Sequence, residues 1–243
     1  MSKYVIIKKY RLPIYLQLGV DTISGKLIVI DGLDGSGKST QSQRVYHALK
    51  SQYSNISLLS YPDYTQPSST LVKMYLDGMF SDNPNDVNAY AASTFYAADR
   101  YASYMQFWKE QYQKGGLFLA TRYVSSNAIH QMVKLPKSQW DSFLNWLEDY
   151  EYDKLKLPRP DKVIFLKMSR HVANELISGR YHGDESKKDI HEKNMSYLQA
   201  CMESAEYAAK RQNWSVISCC DGTKPYSIEK ITCDILTQIQ QIL

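Results

Sequence analysis

A glycine-rich segment near the start of the chain carries the residue types that bind phosphate. It follows the apolar, β-rich run from Lys26 to Asp31 and fits the pattern G-x-x-x-x-G-K-[ST]. In this pattern the backbone N–H groups surround a phosphate, the lysine reaches the β- and γ-phosphates, and the hydroxyl binds Mg²⁺. The P-loop predicted here consists of Gly32, Leu33, Asp34, Gly35, Ser36, Gly37, Lys38, Ser39 and Thr40. The alternative is a glycine turn with an incidental lysine.

The elements around this loop support the first interpretation. A strand precedes it, and residues 41–50 have a helical pattern with Val45, Tyr46 and Leu49 on one face. The positive end of the helix dipole would then point at the bound anion. A P-loop alone fits a kinase, a switch GTPase, a motor or a transport ATPase. The chain has no D-x-x-G or [NT]-K-x-D motif after Ser39, and its length leaves no room for the accessory domains of most motors.

Composition and strand pattern predict an α/β fold in a single domain. The chain has 243 residues, of which 44% are hydrophobic and 22% charged, as is ordinary for an α/β enzyme. Apolar runs typical of strands recur between long helical patterns, at residues 26–31, 56–59, 117–120, 163–166 and 214–219. This alternation predicts a five-stranded parallel sheet with helices on both faces. Its ligands would lie beyond the carboxyl ends of the strands.

Helix start signals occur at two places. Asn85 and Asp86 follow Pro84 and precede a helical pattern that runs to about Lys114. Ser138, with Asp141 three residues later, resembles a capping box.

Three side chains outside the P-loop suit nucleotide recognition. Tyr96 and Arg100 are four residues apart on one predicted helix and therefore share a face, as a ring and a guanidinium around a nucleobase would. The alternative is a core tyrosine beside a surface cation. Arg122 follows a strand at the expected ligand edge, where it could bind a phosphate in bidentate fashion or form a structural ion pair.

Residues 178–188 form a polar stretch with two glycines and several basic side chains. We interpret residues 179–190 as a lid that closes over phosphate, the alternative being a solvated surface loop.

The net charge, the cysteines and the N-terminal segment limit what the protein would bind and where it would act. The net charge of +4 is mild, so it suits small polyanions and does not require nucleic acid. Four cysteines form no C-x-x-C pair, which favours a reducing cytoplasm. The apolar run at residues 12–20 is nine residues long, too short to span a membrane, and has no A-x-A cleavage site. We therefore interpret residues 1–24 as an extension before a P-loop domain at residues 25–243, without a membrane partner.

The order and spacing of the motifs resemble those of the thymidylate kinase family, over residues 26–243. The matching segments are the P-loop through Gln41, Tyr61-Pro62, Phe95 to Arg100, Arg122-Tyr123 with Ser126 and Gln131, and Asp189 to Glu192. The resemblance implies a P-loop kinase fold with a lid, a homodimer, and transfer of the γ-phosphoryl group of ATP to thymidine 5′-monophosphate (dTMP), giving ADP and dTDP.

The resemblance also implies roles for individual residues. Lys38 and Ser39 would hold the ATP phosphates and Mg²⁺. Asp34 would meet the sugar 3′-hydroxyl or the region of the acceptor phosphate, and Arg122 would bind that phosphate. Tyr96 would stack on thymine.

The remaining implied roles concern the base and the lid. Arg100 would contact the base, and Ser126, His130 and Gln131 would complete the substrate-binding set. Some family members carry an arginine in the P-loop where this chain has Gly35, and others supply the transition-state cation from the lid. This chain resembles the second kind, which makes Arg180, Lys187 and Lys188 the candidates.

Two positions depart from the family pattern. Thr121 stands where an aspartate usually precedes the arginine, and Tyr64 stands where an arginine is common. Two rivals therefore stay open: a kinase for another nucleoside monophosphate, and a nucleotide-binding homologue with little or no turnover.

Overall fold

The computed structural model describes residues 24–181 and 195–243. Within these ranges the strands form one parallel sheet in the order β2-β3-β1-β4-β5. The strands are β1 (Lys26–Asp31), β2 (Ile56–Ser60), β3 (Leu117–Thr121), β4 (Lys162–Lys167) and β5 (Ser215–Ser218). The predicted five-stranded parallel sheet is thus confirmed.

The helices lie between successive strands and after the last one. Their bounds are α1 (Lys38–Lys50), α2 (Thr70–Leu76), α3 (Ala89–Ser103), α4 (Lys109–Gln113), α5 (Val124–His130), α6 (Trp140–Glu148), α7 (Arg170–Tyr181), α8 (Met195–Arg211) and α9 (Ile228–Gln240). Short 3₁₀ turns occur at Pro67–Ser69, Met132–Lys134 and Lys137–Gln139, and π-helical segments at Tyr104–Trp108 and Asp149–Lys154.

Strand β1 lies in the middle of the sheet, and both of its faces are apolar. Leu27 and Val29 pack into a core that includes residues of α5, α6 and α8. Ile28 and Ile30, which point the other way, pack against residues of α1, α7 and α9. Helices therefore cover both faces, and the carboxyl ends of all strands meet at one edge of the sheet.

Two local expectations were wrong. The helix expected after Pro84 begins at Ala89, because Asn88 caps it by accepting a hydrogen bond from Ala91 N at 2.9 Å. Asp86 instead closes a turn by accepting hydrogen bonds from Ser81 and Asn83. Ser138 forms no capping box, since it lies inside a 3₁₀ turn and α6 starts at Trp140 without a side-chain cap.

Helix α1 begins at Lys38, three residues before the expected start, so the P-loop leads directly into it. Among the helices of the described residues, none combines the length and the apolar character needed to cross a membrane. The predicted extension at residues 1–24 and most of the predicted lid lie outside the described residues, so the domain division stays a prediction.

Candidate active site

The P-loop turns tightly between β1 and α1 because two glycines adopt left-handed conformations. Gly35 has φ 79° and Gly37 has φ 82°, values that L side chains rarely adopt. A β-carbon at Gly35 would also lie 2.5 Å from the carbonyl oxygen of Ala173 in α7. The turn brings Lys38 to the first position of α1, at the positive end of the helix dipole.

Three charged side chains meet at the mouth of this loop. Lys38 Nζ donates to Asp34 Oδ1 at 2.9 Å and to the Leu33 carbonyl oxygen at 3.3 Å. Arg122 Nη2 donates to the same Asp34 oxygen at 2.5 Å. Burial alone would raise the pKa of Asp34, but the charges of Lys38 and Arg122 hold it well below its usual value. Asp34 is therefore an anion that pairs with two cations, and the three side chains together carry a net positive charge.

Arg122 lies directly after β3, at the edge expected for ligands. Its backbone is left-handed, with φ 64°, and its N–H donates to the Ile30 carbonyl oxygen at 3.0 Å. The guanidinium is half-buried, and Nη1 lies 3.0 Å from His130 Nε2. The structure thus pairs Arg122 with Asp34, and both side chains line the same cavity.

Asp31 joins the end of β1 to the start of α5. Its buried carboxylate accepts hydrogen bonds from Gly32 N at 2.8 Å, Ser125 Oγ at 2.6 Å and Ser126 Oγ at 2.8 Å. Ser126, implied to lie near the base, contributes to the cavity wall while its hydroxyl donates to Asp31.

Arg100 is buried and ion-paired. Its Nε and Nη2 donate to the two carboxylate oxygens of Glu151 at 2.7 and 2.6 Å, and Nη1 donates to the Tyr123 carbonyl oxygen at 3.2 Å. Asn127 Nδ2 also donates to Glu151, at 3.0 Å. Since Arg100 is only 1% exposed, the alternative of a surface cation is wrong. Two further N–H groups of its fork are not used by these bonds.

An aromatic ring and an amide complete the acceptor side. The half-buried ring of Tyr96 lies edge-on to the ring of Tyr75, with centroids 6.4 Å apart. Gln131 is fully buried, and neither its amide nitrogen nor its amide oxygen has a hydrogen-bond partner among the described residues. Both Tyr96 and Gln131 line the cavity. A buried amide without partners indicates a group that a ligand would pair.

One cavity of about 400 Å³ brings these side chains together. The predicted site residues on its wall are Asp34, Gly35, Gly37, Lys38, Ser39, Thr40, Tyr96, Arg100, Arg122, Ser126, His130 and Gln131. Gly32, Leu33 and Ser36 belong to the same loop but are not on that wall; their side-chain positions are buried. The volume suits a small ligand.

Sequence reasoning missed several members of this wall. Asp99 and Asn127 line the cavity, and neither was assigned a role. Asp99 accepts hydrogen bonds from Asp63 N at 2.9 Å and Ser68 Oγ at 2.6 Å, which ties the loop after β2 to α3. Its position beside Arg100 in the chain was the available signal. Glu151 gave no signal, because it stands in an acidic run that is typical of a solvated surface.

The roles of the predicted site residues stay predictions, and the side chains of the lid candidates also lie outside the described residues. Arg180 lies in the last turn of α7, and its side chain is outside the described residues. Lys187 and Lys188 fall between residues 181 and 195 and are also outside them.

A parallel sheet with a P-loop directly after its central strand, and one cavity that both this loop and the side chains of Tyr96 and Arg100 line, is the arrangement of a P-loop nucleotide kinase. The family model described as Thymidylate kinase matches residues 30–227. The chain therefore belongs to the thymidylate kinase family, whose members are ATP-dependent nucleoside monophosphate kinases.

The relatives of this chain come from distant organisms. It is 31% identical to a thymidylate kinase of Schizosaccharomyces pombe, over 72% of this chain and 76% of the relative. It is 28% identical to a thymidylate kinase of Mycobacterium tuberculosis, over 71% and 80%. A solved thymidylate kinase from Candida albicans superposes with a TM-score of 0.64 at 21% identity, covering 90% of this chain and 92% of that one. The last similarity supports the fold.

Proposed function

We propose that this protein transfers the γ-phosphoryl group of ATP to dTMP. The observation that carries the proposal is that Lys38 and Arg122 both donate to one oxygen of Asp34, in a cavity that the ring of Tyr96 also lines. A donor triphosphate on the P-loop and an acceptor monophosphate on Arg122 would meet at this carboxylate. The acceptor phosphate oxygen would then attack the γ-phosphorus in line as the bond to the β-phosphate oxygen breaks, without a covalent enzyme intermediate.

Catalysis would consist of positioning and charge neutralisation. Lys38 would move from Asp34 to the transferring phosphoryl group. The carboxylate oxygen of Asp34 is shared with Arg122, so the more highly charged phosphate would attract the ammonium group more strongly. Arg122 would hold the acceptor phosphate with its fork. Asp34 keeps both cations in place before the nucleotides bind and would then face the acceptor sugar.

The acceptor pocket fits a pyrimidine that carries ring carbonyl groups. Tyr96 offers a stacking surface, the remaining N–H groups of Arg100 can donate to a ring carbonyl oxygen, and the amide of Gln131 can accept from a ring N–H. Arg100 carries donors only, so it disfavours a base that presents an amino group at the same place. This chemistry favours thymine or uracil over cytosine.

The donor set fits Mg²⁺ bound largely through ATP. Ser39 is exposed at the cavity as the second residue of α1, and its hydroxyl is the oxygen type that Mg²⁺ takes. Asp31 is buried, and its carboxylate already accepts hydrogen bonds from serine hydroxyls and an N–H group. It would therefore assist the metal indirectly, through those hydroxyls. When bound, the metal would neutralise charge on the β- and γ-phosphates. We further propose that Arg180, Lys187 or Lys188 supplies the transition-state cation.

Two rivals are tested by one experiment. ADP formation is measured with Mg·ATP and a panel of dTMP, dUMP, dCMP, dAMP and dGMP. The proposal expects the highest kcat/KM for dTMP. A different preferred monophosphate would support the first rival, and no turnover with any of them would support a nucleotide-binding homologue, motivated by Thr121 and Tyr64.

We also propose a cytoplasmic homodimer. The surface that would be shared includes the π-helical segment, in which Met105 is 45% and Phe107 56% exposed, and the edge strand β2. Phe107 also lines a groove with Leu58 and Leu59. Sedimentation of the wild type and of Phe107→Glu tests this partner: a dimer that dissociates in the variant supports it, and a monomeric wild type contradicts it.

A further inference from the structure

His130 ends α5 with its ring against the guanidinium of Arg122. The distance from Arg122 Nη1 to His130 Nε2 is 3.0 Å. A guanidinium has donors only, so Nε2 must accept this hydrogen bond and the ring proton of neutral His130 must lie on Nδ1. We propose that neutral His130 is a positioning residue that orients Arg122 for the acceptor phosphate. This inference rests on the proposed function, in which Arg122 binds that phosphate.

The two contacts of Arg122 fix its fork from both sides. Nη2 donates to Asp34 and Nη1 to His130, which leaves the other N–H groups for a ligand. A guanidinium that is already oriented loses less conformational freedom when an anion binds. Asp34 would be shared with the nucleotides during the reaction, whereas His130 contacts Arg122 from the end of α5.

The position of His130 is itself fixed by the fold. The residue is 6% exposed, and its backbone carbonyl oxygen accepts a hydrogen bond from the Tyr197 hydroxyl of α8. The next residue, Gln131, donates its backbone N–H to Asn127 O at 2.8 Å, which continues the last turn of α5. The backbone that carries the ring is therefore held in place, and the contact with Arg122 depends on the side-chain rotamer of His130.

Protonation would convert the acceptor into a competing cation. An imidazolium at His130 has no lone pair on Nε2, so it would lose the hydrogen bond and repel Arg122. The negative charge of Asp34 attracts that proton, while the positive charges of Arg122 and Lys38 repel it. Among the described residues, the titratable and charged groups around this corner are Asp31, Asp34, Lys38, Arg122, Tyr64, Tyr96, Lys134, Tyr197 and Cys201.

The first test compares His130→Gln, which keeps a neutral acceptor, with His130→Leu, which has none. At pH 8 His130→Leu should raise the KM for dTMP roughly tenfold, with little change in the KM for ATP, and His130→Gln should restore part of the loss. Between pH 8 and 6 the wild-type KM for dTMP should rise more steeply than that of His130→Gln. The phosphate monoester also titrates near pH 6, so the slope shared by both proteins belongs to the substrate and the difference belongs to His130.

The second test reads the ring directly. Nitrogen-15 NMR of histidine-labelled protein, with His130→Gln to assign the signals, should show the Nδ1–H tautomer at pH 8, and Arg122→Met should change those signals. A proton on Nε2, an imidazolium at pH 8, or equal pH slopes in wild type and His130→Gln would overturn the inference. If no monophosphate were turned over, the proposed function would fail, and the tautomer together with calorimetric dTMP binding would still decide the role of His130.

Discussion

Glu151 holds Arg100 through two parallel hydrogen bonds, between Nε and Oε2 at 2.7 Å and between Nη2 and Oε1 at 2.6 Å. Both side chains are essentially inaccessible to water, at 0 and 1% exposure. Burial alone would lower the pKa of Arg100, but the charge of Glu151 more than compensates and raises it. Arg100, which lines the acceptor pocket, is therefore one half of a complete ion pair whose other half lies behind the pocket wall.

Removal of Glu151 should leave a buried, unpaired guanidinium. We expect Glu151→Ala to lower the free energy of unfolding by about 3–5 kcal/mol, measured by urea denaturation. The control is Glu229→Ala, because the Glu229–Arg44 pair has the same chemistry at an exposed site and should matter by about 0–1 kcal/mol. Similar losses in the two variants would contradict a structural role for the buried pair.

Gln131 should show opposite effects on stability and on binding. Its buried amide lacks partners within the described residues, so Gln131→Leu removes a desolvated polar group and should raise the free energy of unfolding by about 1 kcal/mol. The same change should raise the KM for dTMP roughly tenfold, because a base N–H loses its acceptor.

Asn127→Leu is the matched control for Gln131. The Asn127 amide donates to Ser93 O at 3.2 Å and to Glu151 at 3.0 Å, so its loss should destabilise the fold. A Gln131→Leu protein that is destabilised to the same degree, with an unchanged KM, would place Gln131 outside base recognition.

Lys134 should make stability depend on pH. Its ammonium group lies over the Tyr75 ring and donates to Tyr75 Oη and to Val87 O, both at 2.9 Å, and burial lowers the pKa of Lys134 to about 7. An unfolded lysine keeps its proton up to about pH 10.4. Between these values the unfolded chain binds more protons, so this group makes the free energy of unfolding rise with pH.

Lys134→Met should remove that contribution. Denaturation at several pH values from 6.5 to 10 should show that the free energy of unfolding of the wild type rises with pH relative to that of the variant. Lys137→Met serves as the control, since Lys137 forms an exposed ion pair with Glu203. Parallel curves for wild type and Lys134→Met would show that the lysine titrates at its ordinary value.

Thr121 tests the first departure from the family pattern. It is 6% exposed at the end of β3 and lines the cavity, next to Arg122. Thr121→Asp should lower the Mg²⁺ concentration for half-maximal activity if the new carboxylate assists the metal. If it pairs with Arg122 instead, the KM for dTMP should rise at constant Mg²⁺ dependence. A variant unchanged in both would show that residue 121 has no part in either function.

Arg180 tests the source of the transition-state cation. Arg180→Ala should lower kcat with little change in either KM, because the interaction would exist only in the transition state. Lys187→Ala and Lys188→Ala, measured alongside, identify the responsible residue if Arg180→Ala turns over like the wild type. Equal activity of all three variants would favour the alternative interpretation, in which residues 179–190 are a solvated surface loop.

The sheet and the P-loop were predictable because both are local in sequence. Each strand is a short apolar run, and the P-loop is a contiguous motif whose glycines dictate their own geometry. The ion pair of Arg100 was not predictable, since Glu151 is 51 positions away and reaches the site only because a π-helical segment continues α6. Its neighbours Asp149 and Asp153 are exposed and pair with Lys154 and Arg159. Periodicity could not separate one buried carboxylate from these two.

The close contact between Gly35 and Ala173 also fixes the distance between helix α7 and the P-loop. With no space for a methyl group there, α7 lies directly on the P-loop. Arg180 follows Ala173 by seven positions in the same helix, so its α-carbon lies roughly 10 Å further along the helix axis. Inserting one residue between them would turn the arginine by about 100° around that axis. The number of residues in α7 therefore determines how far from the phosphate loop the α-carbon of Arg180 lies, and at which angle around the helix axis.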